Sequence, residues 1–186
     1  PTPRSIEHVE NTLVKKENNR LNEYNDSGLQ SIDSYDMNGI DRSSIQFFKK
    51  ALWNDICKLD FFPPQDKNHV SHSIHNLQDV EETSNNKITV ETITLSSVLK
   101  EMDVDHIELL KLDIEGAEIE VLEYMIKQNI RPTQICIEFD ELGLNKSNLW
   151  KRPRRIIREL KRVGYRCVWS NGKTDYLFIL NKNRST

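Results

Sequence analysis

Apolar positions are unevenly spread along the chain, and the contrast changes near residue 88. Residues 1–87 are polar and read as a loop-rich N-terminal part. Residues 88–186 read as a better-defined α/β core, the two together forming a single domain over residues 1–186. In the first part Ile6, Val9, Leu13 and Val14 recur at helical spacing and predict a helix from Pro3 to Asn18. Residues 22–44, rich in Asn, Asp and Ser, read as loop. Ile45 to Lys49 predicts a short strand, followed by Ala51-Leu52-Trp53 and a turn at Asn54-Asp55. Cys57 to Phe62 predicts a returning strand, stopped by Pro63-Pro64. Residues 65–87 form a long polar loop, a length typical of lids, binding loops or disorder.

The second part is more regular. Ile88 to Ile93 alternates as a strand, and Thr94 is placed to cap a helix carrying Leu95, Val98, Leu99 and Met102 on one face. Ile107 to Leu112 is mostly apolar, as in a buried parallel strand. Glu115 to Gln128 predicts an amphipathic helix with Ile119, Leu122 and Ile126 inward, and Ile135 to Phe139 another strand. Pro153 and Gly164 bracket a helix whose inner stripe is Ile156, Ile157, Leu160 and Val163. Tyr165 to Trp169 and Tyr176 to Leu180 flank Asn171-Gly172, a hairpin signature. The alternation predicts an α/β fold: a mostly parallel sheet ending in an antiparallel hairpin.

Composition narrows the functional classes. The 186 residues suit one domain, and no run approaches the roughly 20 apolar residues of a spanning helix, so no membrane segment is expected. Lys plus Arg number 26 against 29 Asp plus Glu, a balance of −3 that argues against a general nucleic-acid binder. Lys151, Arg152, Arg154, Arg155, Arg158, Lys161 and Arg162 form a basic helix, read as a solvated face with an anionic-partner patch as the alternative. A nucleic-acid role for it predicts steep salt dependence, and the chain lacks an aromatic-basic platform, so no nucleic-acid partner is expected. Cys57, Cys136 and Cys167 are far apart without a C-x-x-C pair, which predicts reduced, buried thiols and a cytoplasmic setting. The N-x-S sequons at Asn25, Asn145 and Asn183 are read as chance matches in an Asn-rich chain.

Candidate chemistry gathers at strand ends. Ligands of open parallel sheets bind outside the carboxyl ends of the strands. Two predicted strands end in acids, so Asp113, Glu138 and Asp140 share one rim if those strands are neighbours. Two readings stand: proton acceptors or holders of a cationic ligand, and ordinary strand-end or helix-capping acids. Gly116 allows a tight turn after Asp113. His69, His72 and His75 recur every three residues, but the segment lacks a helical pattern and no Cys is near, so no metal site is expected. His72 is the best-placed pocket acid/base of the three.

The stretch LLKLDIEGAE, Leu109 to Glu118, lies between ITVETITLSSVLKEM and QICIEFD. With Ala51-Leu52-Trp53, NHVSHSIHNL over Asn68 to Leu77, and Pro1-Thr2-Pro3, it resembles the FkbM-type family of S-adenosylmethionine (SAM)-dependent methyltransferases. The resemblance implies a Rossmann-like class I methyltransferase sheet of order 3-2-1-4-5-7-6 with strand 7 antiparallel. On it Ile45 to Lys49 resembles strand 3, Ile107 to Asp113 strand 4, Ile135 to Asp140 strand 5, and the hairpin strands 6 and 7. It further implies SAM as cofactor and methylation of a hydroxyl on a small molecule, a sugar or other glycan, or a lipid-linked acceptor. Asp113 would lie near the transferred methyl and Ala51 and Leu52 near the adenine, with the loop of Ser71 and His72 over the site. Ala51, Leu52, Ser71, Asp113 and Glu115 are then the cofactor-binding candidates; Asp113, His72 and Glu138 are the catalytic ones.

One departure is plain. The glycines are Gly28, Gly39, Gly116, Gly143, Gly164 and Gly172, and none form the G-x-G of a cofactor loop. The expected sheet is therefore truncated at the N-terminus, lacking strands 1 and 2, with unpaired edges at the gap. The alternative reading is a non-catalytic fragment or split half of such an enzyme, acting as a binding module.

Overall fold

The structure is a computed structural model describing residues 3–10, 24–25, 29–30, 39, 41–62, 87–139, 142 and 150–181. In chain order the elements are α1 (Pro3–Val9), β1 (Tyr24–Asn25), β2 (Leu29–Gln30), β3 (Ala51–Leu52), β4 (Lys58–Phe61), β5 (Ile88–Ile93) and α2 (Leu95–Glu101). There follow β6 (Leu109–Leu112), α3 (Glu118–Lys127), β7 (Gln134–Glu138), α4 (Lys151–Arg162), β8 (Tyr165–Ser170) and β9 (Asp175–Leu180). The chain forms two compact units, residues 1–51 with 59–90, and residues 52–58 with 91–186. Strands pair as a ribbon β1-β2, a three-stranded sheet β3-β5-β4 and a four-stranded sheet β6-β7-β9-β8.

The four-stranded sheet carries the site. β6 and β7 run parallel, with Lys111 opposite Cys136 and Leu112 opposite Ile137. β9 lies antiparallel to β7, with Glu138 opposite Asp175, and β8 closes the hairpin against β9 with an irregularity between Cys167 and Trp169. Alternation then separates two faces. Leu110, Leu112, Ile135, Ile137, Phe178 and Tyr165 point to one face and are buried with Ile119, Val121, Leu122 and Met125 of α3 and Ile156 and Leu160 of α4. Leu109, Lys111, Gln134, Cys136, Glu138, Leu177 and Trp169 share the other face by register, and Leu109 and Trp169 remain 55% and 56% exposed. Among the described residues, helices α3 and α4 cover one side of the sheet and no element covers the other.

Local chemistry explains the element ends. Thr94 caps α2 by accepting the Ser97 N–H on its Oγ1 at 3.2 Å. Thr92, only 2% exposed, accepts the Cys57 N–H at 2.7 Å and reaches the Asp55 carbonyl at 2.7 Å, so its buried hydroxyl is satisfied. The buried Tyr165 hydroxyl donates to the Pro132 carbonyl at 2.8 Å, and burial pushes its pKa up. Tyr124 of α3 donates to Ser96 of α2 at 2.9 Å. α4 stops at Gly164, whose φ of +105° few other residues adopt.

Several expectations are corrected. Ile45 to Lys49 is not a strand; the pairing segment is Ala51–Leu52, where Trp53 N–H donates to Ile93 at 2.9 Å. A strand needs a hydrogen-bonded neighbour, and β5 supplies one only from Ala51 onward. Ile45 to Lys49 therefore cannot play the part of a third strand. Helix α3 begins at Glu118 rather than Glu115, because Glu115 and Gly116 have φ of +57° and +98° and interrupt helical geometry. The segment 22–44, read as loop, contains the ribbon β1-β2. The predicted first helix is described as Pro3–Val9; residues 11–18 lie outside the described residues. The three cysteines are free but half-buried rather than sealed in the core. Among the described residues no helix is long and apolar enough to cross a membrane.

Candidate active site at the strand ends

The register decides which acids meet. Because Leu112 faces Ile137 in the parallel pair, Asp113 follows beside Glu138. The antiparallel return of β9 sets Asp175 opposite Glu138 on the other flank. Three carboxylates from three strands therefore line one end of the sheet. Lys111 lies among them: its Nζ is 2.6 Å from Asp113 Oδ2, both groups well exposed. The hydrogen bond to Asp113 holds the Lys111 ammonium above its usual range.

Glu138 is the unusual acid of the set. Its side chain is half-buried, and its pKa is raised first by that burial, then by the negative charges of Asp113, Asp175 and Glu115. Lys111 opposes the shift without cancelling it. A carboxylate held at higher proton affinity by desolvation is a better proton acceptor than a solvated one.

The turn after β6 is built to hold this rim. Glu118 is fully buried at the first turn of α3, and its Oε1 accepts the Ile114 N–H at 2.7 Å. Its Oε2 accepts the Gly116 N–H at 3.0 Å. One carboxylate thus satisfies two backbone donors of a left-handed turn that carries Asp113 at its entrance and Glu115 at its crest. On the hairpin side Asn171 does similar work: its Oδ1 accepts the Lys173 N–H at 2.7 Å and the Asp175 N–H at 3.1 Å, and its Nδ2 donates to Asp175 Oδ2.

Of the sequence candidates, Asp113, Glu115 and Glu138 come together. Ala51 and Leu52 form β3 in the three-stranded sheet, Ala51 buried and Leu52 half-buried. Asp140, Ser71 and His72, with His69 and His75, lie outside the described residues. Among the described residues no cluster of three or more metal-ligating side chains occurs.

Sequence reading passed over three residues. Lys111 was hidden as the one charge inside an apolar strand, although its place two residues before Asp113 puts both on one face. Glu118, inside the predicted helix from Glu115 to Gln128, carries nothing in the sequence that marks it off from any other helix acid. Asp175 reaches the rim only through the hairpin register, which a sequence does not display. Chemically, Asp113, Glu138 and Asp175 gathered around Lys111 among the described residues favour a cationic ligand and offer a proton acceptor.

No curated protein and no solved structure matches the chain. A family model described as the methyltransferase FkbM domain matches residues 4–167, from the first helix through the three strand–helix units β5–α2, β6–α3 and β7–α4 and into the first strand of the hairpin. On a match of that extent the chain belongs to the FkbM methyltransferase domain family.

Proposed function

We propose that the protein is a SAM-dependent methyltransferase acting on a hydroxyl oxygen of a small molecule, a sugar or a lipid-linked acceptor, with its reacting end at the β6–β7 rim. The family membership supports methyl transfer. The observation that carries the siting is the parallel pair that puts Asp113 beside Glu138. The order β6-β7-β9-β8, parallel and then antiparallel, supports a Rossmann-like sheet for this half of the chain.

The rim fits the cationic end of the cofactor, because among the described residues the carboxylates Asp113, Glu138 and Asp175 gather there around Lys111. When bound, the cofactor supplies an electrophilic methyl group on positively charged sulfur. Asp113, paired with Lys111, would face that charge and position the acceptor beside it. Glu138 would take the hydroxyl proton as the oxygen gains the methyl and the carbon–sulfur bond breaks, its electron pair leaving on sulfur. His72, which lies outside the described residues, is the second candidate for that proton.

The test combines calorimetric titration of SAM with transfer of a labelled methyl group to hydroxyl acceptors. Asp113→Asn keeps the shape and removes the charge, and is expected to lower turnover by about 100-fold or more with the fold intact. Unchanged turnover removes Asp113 from the mechanism. Absence of both SAM binding and transfer in the wild type favours the alternative of a non-catalytic binding module.

A further inference from the structure

The outer face of α4 has no role in the rim. Lys151, Arg154, Arg155, Arg158, Lys161 and Arg162 are all exposed. At about 100° per residue they fall within roughly a third of the helix circumference. The twelve residues of α4 make a strip about 18 Å long. Pro153, Ile156 and Leu160 on the opposite side are buried in the core, which fixes the strip outward.

The fold uses only part of this charge. Arg152 pairs with Glu120 and Arg155 with Glu123, both from α3, and Arg155 also approaches Glu159 at 4.0 Å. Arg154 stacks 4.2 Å over the ring of Trp150, which is 40% exposed just before the helix. Lys151, Arg158, Lys161 and Arg162 form no ion pair among the described residues. Lys161 and Arg162 suit the C-terminal end of the helix dipole, but the like charges at i,i+4 along this face repel, and an external anion relieves that repulsion.

We infer that the outer face of α4 docks the protein on an anionic lipid surface. A straight row of Lys and Arg on an amphipathic helix matches a plane of charged headgroups. Nucleic acid is the poorer match. α4 itself carries no aromatic, and the Trp150 ring beside it is covered by Arg154, so the face lacks the stacking platform of a single-strand binder. The apolar stripe is already buried, so docking is electrostatic and reversible rather than inserted. The inference does not depend on the methyl-transfer reading.

The experiment is co-sedimentation of the whole chain with vesicles of phosphatidylcholine alone and with phosphatidylglycerol added, at low and high salt, beside titration with a short DNA duplex. The variant is R158Q/K161Q/R162Q, three exposed positions, with thermal unfolding to verify the fold. Binding is expected only to the phosphatidylglycerol vesicles and lost at high salt. Each cation removed should weaken it about fivefold, so the triple variant binds about 100-fold more weakly. No binding to the anionic vesicles at low salt overturns the inference. So does wild-type binding by the folded variant, or tighter binding of the duplex than of the vesicles at the same salt.

Discussion

At the scale of single residues, the rim depends on a carboxyl kept from water. Glu138 holds its proton to higher pH in the folded chain than in the unfolded one. Between the ordinary carboxylate range and the raised folded value, the folded state therefore binds more protons, and stability falls as pH rises through that window. Above it the loss is complete and constant. Glu138→Gln removes the step: its unfolding midpoint should be flat across the window and, at neutral pH, equal to or above wild type by less than about 1 kcal/mol. Thermal unfolding at a series of pH values checks this. A retained step in the variant would assign the titration to another acid. Turnover should fall in the same variant, so stability and activity move in opposite directions, as expected of a strained functional group.

At the scale of elements, the segment from Asp113 to Glu118 shows how a loop is made rigid without regular hydrogen bonds. Glu118→Ala leaves the Ile114 and Gly116 N–H groups without their acceptor and should cost about 2–4 kcal/mol by denaturant unfolding. Glu118→Gln retains one acceptor oxygen and should fall between. Equal stability of all three forms would mean that water replaces the clamp. This segment also marks the limit of sequence reading. Period and capping revealed β5, α2, β6, α3, β7, α4 and the hairpin, because each has an apolar stripe that one face of the core demands. They failed at Ile45 to Lys49, with which no strand pairs among the described residues, and at Glu115, where helical spacing continues through a left-handed turn. Asp113 and Glu138 were legible because parallel strands bring their ends together. Asp175 was not, because its place depends on a pairing partner distant in sequence.

At the scale of the molecule, the four-stranded sheet divides its residues unequally between helices and open surface. Phe178, fully buried, should cost about 3–5 kcal/mol on truncation to Ala, whereas Trp169→Ala on the open face should stay within about 0.5 kcal/mol of wild type. Paired denaturant titrations measure the contrast. A large loss at Trp169 would show that the open face is covered in solution. The same register ties the rim to the core. Side chains alternate faces, so a one-residue slip of β9 that swung Asp175 toward the helices would also turn Phe178 out of the core. The charge facing a ligand is thus locked to the packing behind it, and the turn at Asn171-Gly172 can change length only by a bulge that leaves β9 in register.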